Sequence, residues 1–190
     1  MGSEKDAKWR GILTSAWTLG SGKATRLTLN VSCQKVCLMI KYRHTNLIAK
    51  DWKLLSEFYQ EVFNCVPVLP ERNLSGGWLD KITDIPESHI KGTHLRLPGF
   101  GDRGPTLEIF QYDSMPLHPR IKPNTPGFSH IAFEVENVME IANSVFNHGG
   151  KAIGELVTRE LPGVGRLTVQ YVTDPEDNII EIQKIEPEDS

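Results

Sequence analysis

Hydrophobic and polar residues alternate twice along this chain in the same order of elements. Tyr42 to Ile48 alternates with a period of two, as a strand exposed on one face does, and it is followed by Trp52, Leu54, Leu55, Phe58, Tyr59, Val62 and Phe63 at helical spacing. Asp51 stands where that helix needs an N-cap. The second series opens with Phe128 to Glu134, passes the N-cap candidate Asn137, and places Val138, Met139, Ile141, Ala142, Val145 and Phe146 on one helical face before Gly149-Gly150 stops the helix. Two strand pairs complete the pattern. Ile90 to Leu97 and Thr106 to Tyr112 flank a Gly- and Pro-rich turn, and Arg166 to Val172 and Asn178 to Gln183 flank Asp174-Pro175-Glu176-Asp177.

The pattern predicts an α+β fold of two βαβββ modules, residues 39–115 and 127–186, whose paired sheets curve around a cleft. Residues 116–126, with prolines at 116, 119, 123 and 126, read as a semi-rigid linker, and 187–190 as a tail. The first module carries thirteen residues more between its His and its last Glu than the second. The excess is expected at Leu74 to Ser88, as a loop leading into a short helix around Trp78 that walls or covers a pocket.

Composition and charge refine this picture. The chain has 190 residues, 39% hydrophobic and 24% charged, close to the average of globular proteins, and a net charge of −3, which disfavours a nucleic-acid binder. Residues 1–38 hold six bases and two acids, so residues 39–190 hold fifteen bases and twenty-two acids and carry −7. This break marks 1–38 as a poorly ordered leader of separate character. It reads more readily as an upstream extension, with Met39 as the functional start, than as an organellar transit peptide, because Glu4 and Asp6 open it and no amphipathic Arg face follows. No run approaches the roughly 18 apolar residues of a membrane helix. Cys33, Cys37 and Cys65 fit neither a disulfide framework nor a zinc knuckle, which points to reduced thiols in the cytoplasm, with Cys65 a small buried hydrophobe.

The candidate chemistry lies at the ends of the modules, each with a His on its first strand and a Glu on its last: His44 and Glu108, then His130 and Glu181. Alternation turns both carboxylates away from the apolar neighbours Leu107, Ile109, Ile180 and Ile182. Pairing of the modules by pseudo-twofold symmetry would let the four converge. Two imidazoles and two carboxylates suit one borderline divalent ion, Zn, Ni, Co, Mn or Fe(II).

The segments Arg43-His44-Thr45-Asn46-Leu47, Thr106-Leu107-Glu108-Ile109-Phe110, Gly127-Phe128-Ser129-His130-Ile131-Ala132-Phe133 and Asp174 to Ile182 resemble the vicinal oxygen chelate superfamily, over about residues 40–185. That superfamily includes glyoxalase I, methylmalonyl-CoA epimerase, extradiol dioxygenases and the bleomycin and fosfomycin resistance proteins. The resemblance implies a metal held by His44, Glu108, His130 and Glu181, a small substrate with two adjacent oxygens, a homodimer, and Glu108 or Glu181 as catalytic base. An all His and Glu quartet resembles glyoxalase I. Methylmalonyl-CoA epimerases usually have Gln at the position of Glu108, dioxygenases need only two His and one carboxylate, and non-catalytic resistance proteins lack the ligands. The insert around Trp78 departs from a minimal glyoxalase I.

Candidate substrate contacts are Asn46, Trp78, His94, Arg96 and Tyr171. A simple hairpin register puts Arg96 opposite Glu108, where it would bind a substrate anion or form a structural ion pair. Pro162-Gly163-Val164-Gly165 reads as a mobile loop or a hairpin tip, and His89, His118 and His148 as exposed loop or helix-end residues.

Overall fold

A computed structural model describes residues 40–117 and 120–188. The expectations for the leader, for Cys33 and Cys37, and for His118 lie outside these residues. The first half runs β1 (His44–Ile48), α1 (Trp52–Phe63), β2 (Val66–Ser75), α2 (Gly77–Thr83), β3 (His89–Arg96) and β4 (Thr106–Tyr112). The second runs β5 (Ile131–Glu134), α3 (Val138–Asn147), β6 (Lys151–Ala152), β7 (Val157–Leu161), β8 (Gly165–Thr173) and β9 (Ile179–Glu186).

Each half forms its own mixed sheet. The first has the order β1-β4-β3-β2, with β1 parallel to β4 and the other neighbours antiparallel. The second repeats it as β5-β9-β8-β6, with β5 parallel to β9 and β7 added against β8. A parallel pair requires a crossover, and here each crossover carries a helix, α1 or α3, onto one face of its sheet. These are the two α+β modules that the alternation predicts.

The helices start where their caps stand. Asp51 accepts from Lys53 N and Leu54 N, and Asn137 accepts from Glu140 N, so each side chain satisfies backbone donors that a helix leaves unpaired at its N-terminus. Gly149, at φ +89°, takes the left-handed backbone after α3, and Gly150 N donates to Val145 O.

One apolar core joins both modules. Leu55, Tyr59 and Val62 of α1 pack with Leu95, Leu107 and Ile109, and Val138, Ala142 and Val145 of α3 with Val172, Ile180 and Ile182. Full burial of a side chain of this size is worth ~1.5–3 kcal/mol, so these faces fix which side of each strand is left for chemistry. Phe63 and Phe133 stack across the two halves, with ring centroids 4.2 Å apart. Cys65 is a free, buried thiol, and burial pushes it up to about 12, as suits a small apolar filler.

Three local expectations need correction. The strand expected from Phe128 begins only at Ile131, so His130 stands immediately before β5. The short helix expected around Trp78 is α2, but the loop expected from Leu74 begins as strand, because Arg72 to Ser75 continue the ladder with β3. His89 is the first residue of β3 and half-buried. Its Nδ1 bonds Asp113 and its Nε2 bonds Asn73, both at 2.6 Å, and the Asp113 carboxyl is held below its ordinary range chiefly by that imidazole. His148 caps α3 on the exposed side, as expected.

Candidate metal centre

Both candidate carboxylates sit on the last strand of their sheet, facing away from the helices. Leu107 and Ile109 are fully buried on one side of β4, and Glu108 turns to the other; on β9, Ile180, Glu181 and Ile182 repeat the arrangement. The strand register then supplies equivalent neighbours. Glu108 is flanked by Asn46 on β1 and His94 on β3, and Glu181 by Ala132 on β5 and Tyr171 on β8. His44 and His130 each precede that flanking residue by two, one at the start of β1 and one just before β5.

The side chains meet accordingly. His44 Nδ1 lies 3.2 Å from Glu108 Oε1, and His94 Nδ1 lies 3.3 Å from the same oxygen. In the second half His130 Nε2 lies 3.1 Å from Glu181 Oε2. The Tyr171 ring packs edge-on against His130 with centroids 5.1 Å apart. It stands opposite Glu181 in the ladder, and that carboxylate together with partial burial pushes the phenol up to about 12, so it remains a proton donor. For His94 desolvation is the largest influence and lowers its pKa. Glu108 opposes that shift, while Arg72 and His44 reinforce it. A neutral imidazole is the form that keeps a lone pair for a metal.

The structure therefore joins His44 to Glu108 and His130 to Glu181, with His94 and Tyr171 as matched partners of the two carboxylates. The two pairs stand on separate sheets, and among the described residues no three His, Cys, Asp or Glu side chains are arranged to hold an ion, since His44 and His94 both converge on a single oxygen of Glu108. The donors of each half, two imidazoles against Glu108 and one against Glu181, are of the kind that suits a borderline divalent cation.

The other candidates are distributed as follows. Asn46 Nδ2 reaches Glu108 O at 3.5 Å, a bond to the backbone of β4. Trp78 is half-exposed on α2. Arg96 is displaced from its expected position: the register is offset by two, so His94 lies opposite Glu108 and Arg96 lies opposite Thr106. Its guanidinium instead binds Asp102, in the β3–β4 turn, at 2.7 Å. Pro162 to Gly165 is a hairpin tip between β7 and β8, closed by Val164 N donating to Leu161 O. Sequence reasoning assigned His94 to substrate and overlooked that it takes the same place as Tyr171. The shared signal was available, since each residue stands on the strand before its Glu.

A cavity of about 530 Å³ lies where the two modules meet, bordered by Thr45, Leu97, Phe100, Leu107, Ala132 and Gln183. None of His44, Glu108, His130 and Glu181 lines it.

Comparisons with known proteins bear on the fold and the family. A structure of a glyoxalase family protein from Bacillus cereus is similar over 80% of this chain and 97% of its own, with a TM-score of 0.62 at 17% identity. A fosfomycin resistance protein from Listeria monocytogenes, in complex with Mn(II) and sulfate, covers 77% of this chain and 93% of its own, with a TM-score of 0.45 at 18% identity. No curated protein sequence matches the chain. The family described as the Glyoxalase/Bleomycin resistance protein/Dioxygenase superfamily matches residues 41–182. With its repeated sheet order and its repeated His and Glu positions, the chain belongs to that superfamily, also called vicinal oxygen chelate.

Proposed function

We propose that the protein is a divalent-metal-dependent isomerase or lyase, similar in chemistry to glyoxalase I, that acts on a small molecule with two adjacent oxygens. The observation that carries this reading is the repeated pair: an imidazole 3.1–3.2 Å from an enclosed carboxylate, at equivalent register positions of two sheets. His44, Glu108, His130 and Glu181 would hold one ion of Zn, Ni, Co, Mn or Fe. Each chain contributes two half-sites on separate sheets, which supports a homodimer in which the half-site of one copy meets the opposite half-site of the other. A cytoplasmic location accompanies this reading.

When bound, a divalent ion supplies a Lewis acid that stabilises negative charge developing on adjacent substrate oxygens. The chain's own contribution is proton transfer. Glu108 or Glu181 takes the proton from the carbon beside the carbonyl, the C–H electron pair remains on the substrate, and the same carboxyl returns the proton to the neighbouring carbon. No external oxidant is consumed. Tyr171 orients Glu181 from the facing ladder position, and His94 steadies Glu108 from the equivalent place. Epimerisation of an acyl-CoA thioester would begin with the same abstraction but return a proton to the opposite face of the same carbon, which would engage both Glu108 and Glu181.

Elemental analysis of the purified protein tests the ligand set. Bound metal is expected in the native chain and lost in His130→Ala with an unchanged circular dichroism spectrum; metal retained at full stoichiometry overturns the assignment. A thermal-shift panel of glutathione hemithioacetal, acyl-CoA thioesters and catechols selects the substrate class. Metal-dependent entry of solvent deuterium into product supports proton transfer, whereas oxygen uptake with a catechol replaces the reading with a dioxygenase.

A further inference from the structure

Thr173, at the end of β8, is 2% exposed, and its Oγ1 alone among buried side-chain polar atoms of the described residues has no hydrogen-bond partner. A buried hydroxyl in that state has lost its water without replacement, so the fold carries it at a cost. Thr173 borders a cavity of about 500 Å³, whose other walls include Arg120, Lys122 and Asn124 of the linker, with Ile153 and Asp177.

Strand alternation places Thr173 on the same face of β8 as Tyr171, two residues or about 7 Å along the strand. The Thr173 wall of the cavity thus belongs to the sheet face that carries Tyr171, although His130 and Glu181 do not themselves line it. The linker is fastened there. Ser129, next to His130, donates through Oγ to Pro123 O at 2.9 Å, while Lys122 N donates to Thr125 Oγ1 at 2.8 Å and Thr125 N donates back to Lys122 O.

The charges in the cavity wall are unequal. Asp177 faces Lys151 at 3.8 Å, whereas Arg120 and Lys122 make no ion pair among the described residues. Two cations, an amide and an orphan hydroxyl give an excess of donors, which is the chemistry that an oxyanion satisfies.

We propose that this cavity binds the oxyanion end of the substrate, a phosphate or carboxylate group, while the reacting carbon lies over the His130–Glu181 pair. The identification of the ligand as substrate rests on the metal-centre reading; the anion site stands on the cavity itself. The ligand that spans both is small and acidic, and Arg120, Lys122 and Thr173 select it.

The test uses the full chain, freed of metal by chelator dialysis, titrated with inorganic phosphate or with acetate at constant ionic strength and followed by amide NMR. Saturable shifts are expected at Lys122, Asn124 and Thr173. The double substitution Arg120→Gln, Lys122→Gln should weaken binding at least tenfold, with either single substitution as a check if the pair fails to fold. Thr173→Val should raise the melting temperature without anion and weaken anion binding at least threefold, a pairing of effects that a purely structural hydroxyl would not produce. Stronger phosphate binding indicates a tetrahedral end group, and stronger acetate binding a carboxylate. Absence of saturation with both anions, or affinities unchanged by these substitutions, overturns the proposal. Because no metal is present, failure of the metal assignment appears only in the elemental analysis and leaves this result separate.

Discussion

Tyr59, in the middle of α1, donates its hydroxyl to Asp174 Oδ2 at 3.1 Å, across 115 residues of chain and from one module to the other. Both side chains are buried. Asp174 also accepts from Glu176 N, Asn178 N and Asn178 Nδ2, so this carboxylate organises the β8–β9 turn while it receives the first module's helix. Burial is the largest influence on both groups: it raises the Tyr59 phenol well above its ordinary value, and it pushes Asp174 up to about 6 although all four donors act in the opposite direction.

Tyr59→Phe retains the ring, which packs edge-on against Phe58, and removes only the donor to Asp174. A loss of ~1–3 kcal/mol in unfolding free energy is expected from urea denaturation, the range for leaving a buried acceptor short of a partner.

The same carboxyl gives stability a pH dependence of unusual sign. A carboxyl whose folded pKa is raised binds its proton more tightly in the native state, so its contribution is present at low pH and is lost as pH rises. For Asp174 the window runs from about 4, the unfolded value, to about 6, and the decline is on the order of 3 kcal/mol. Melting temperatures measured from pH 4 to 7 should fall through this window in the native chain and run flatter in Asp174→Asn. A native profile that rises steadily there contradicts the assignment.

Gly92 lies in β3 between Thr93 and Lys91, where an added Cβ would come within 2.0 Å of Ile109 O and 2.9 Å of Phe110 Cα. Those are backbone atoms of β4, next to Glu108. Gly92→Ala should therefore lose several kcal/mol, at or beyond the ~1–3 kcal/mol typical of overpacking, and loosen the β3–β4 register that sets His94 against Glu108. Gly77→Ala, at the start of α2 with nothing within 4 Å, serves as the control and should gain ~0.4–1 kcal/mol. Thermal denaturation of the two variants separates these signs.

Tyr171→Phe leaves the ring beside His130 and removes the hydroxyl from Glu181. Loss of a bond that orients a ligand typically costs ~10–100-fold in metal affinity. Competition with a chromophoric chelator measures it, and His94→Phe in the other module should weaken affinity in the same direction. An unchanged affinity in both variants would remove these residues from the centre.

Much of the molecule was legible because burial enforces period. The flanks of Glu108 and Glu181 are apolar, and the caps Asp51 and Asn137 are chemically distinct, so module order, helix starts and the direction of both carboxylates follow from the residues. Register did not follow. His94 and Arg96 lie on the same face of β3, and a slip of two residues preserves every inward and outward assignment, so alternation alone cannot choose between them. The length of the turn after Arg96 decides it. Strand β7 escaped for a related reason: Val157 to Leu161 is exposed along almost its whole length and owes its form to the ladder with β8, which leaves no periodic trace. Thr173 resembled any strand-end threonine until its missing hydrogen bond could be seen.

Glu176 accepts from Lys50 N at 2.7 Å through one carboxylate oxygen and from Asp51 N at 2.7 Å through the other. The two donors lead into α1, so the second module's turn holds the approach to the first module's helix, in addition to that helix's own N-cap Asp51. The internal repeat is thus a dependency as well as a duplication. At this one turn the halves hold each other, Glu176 receiving the approach to α1 and Asp174 receiving Tyr59 from its middle, so neither module's turn or helix entry is complete without the other.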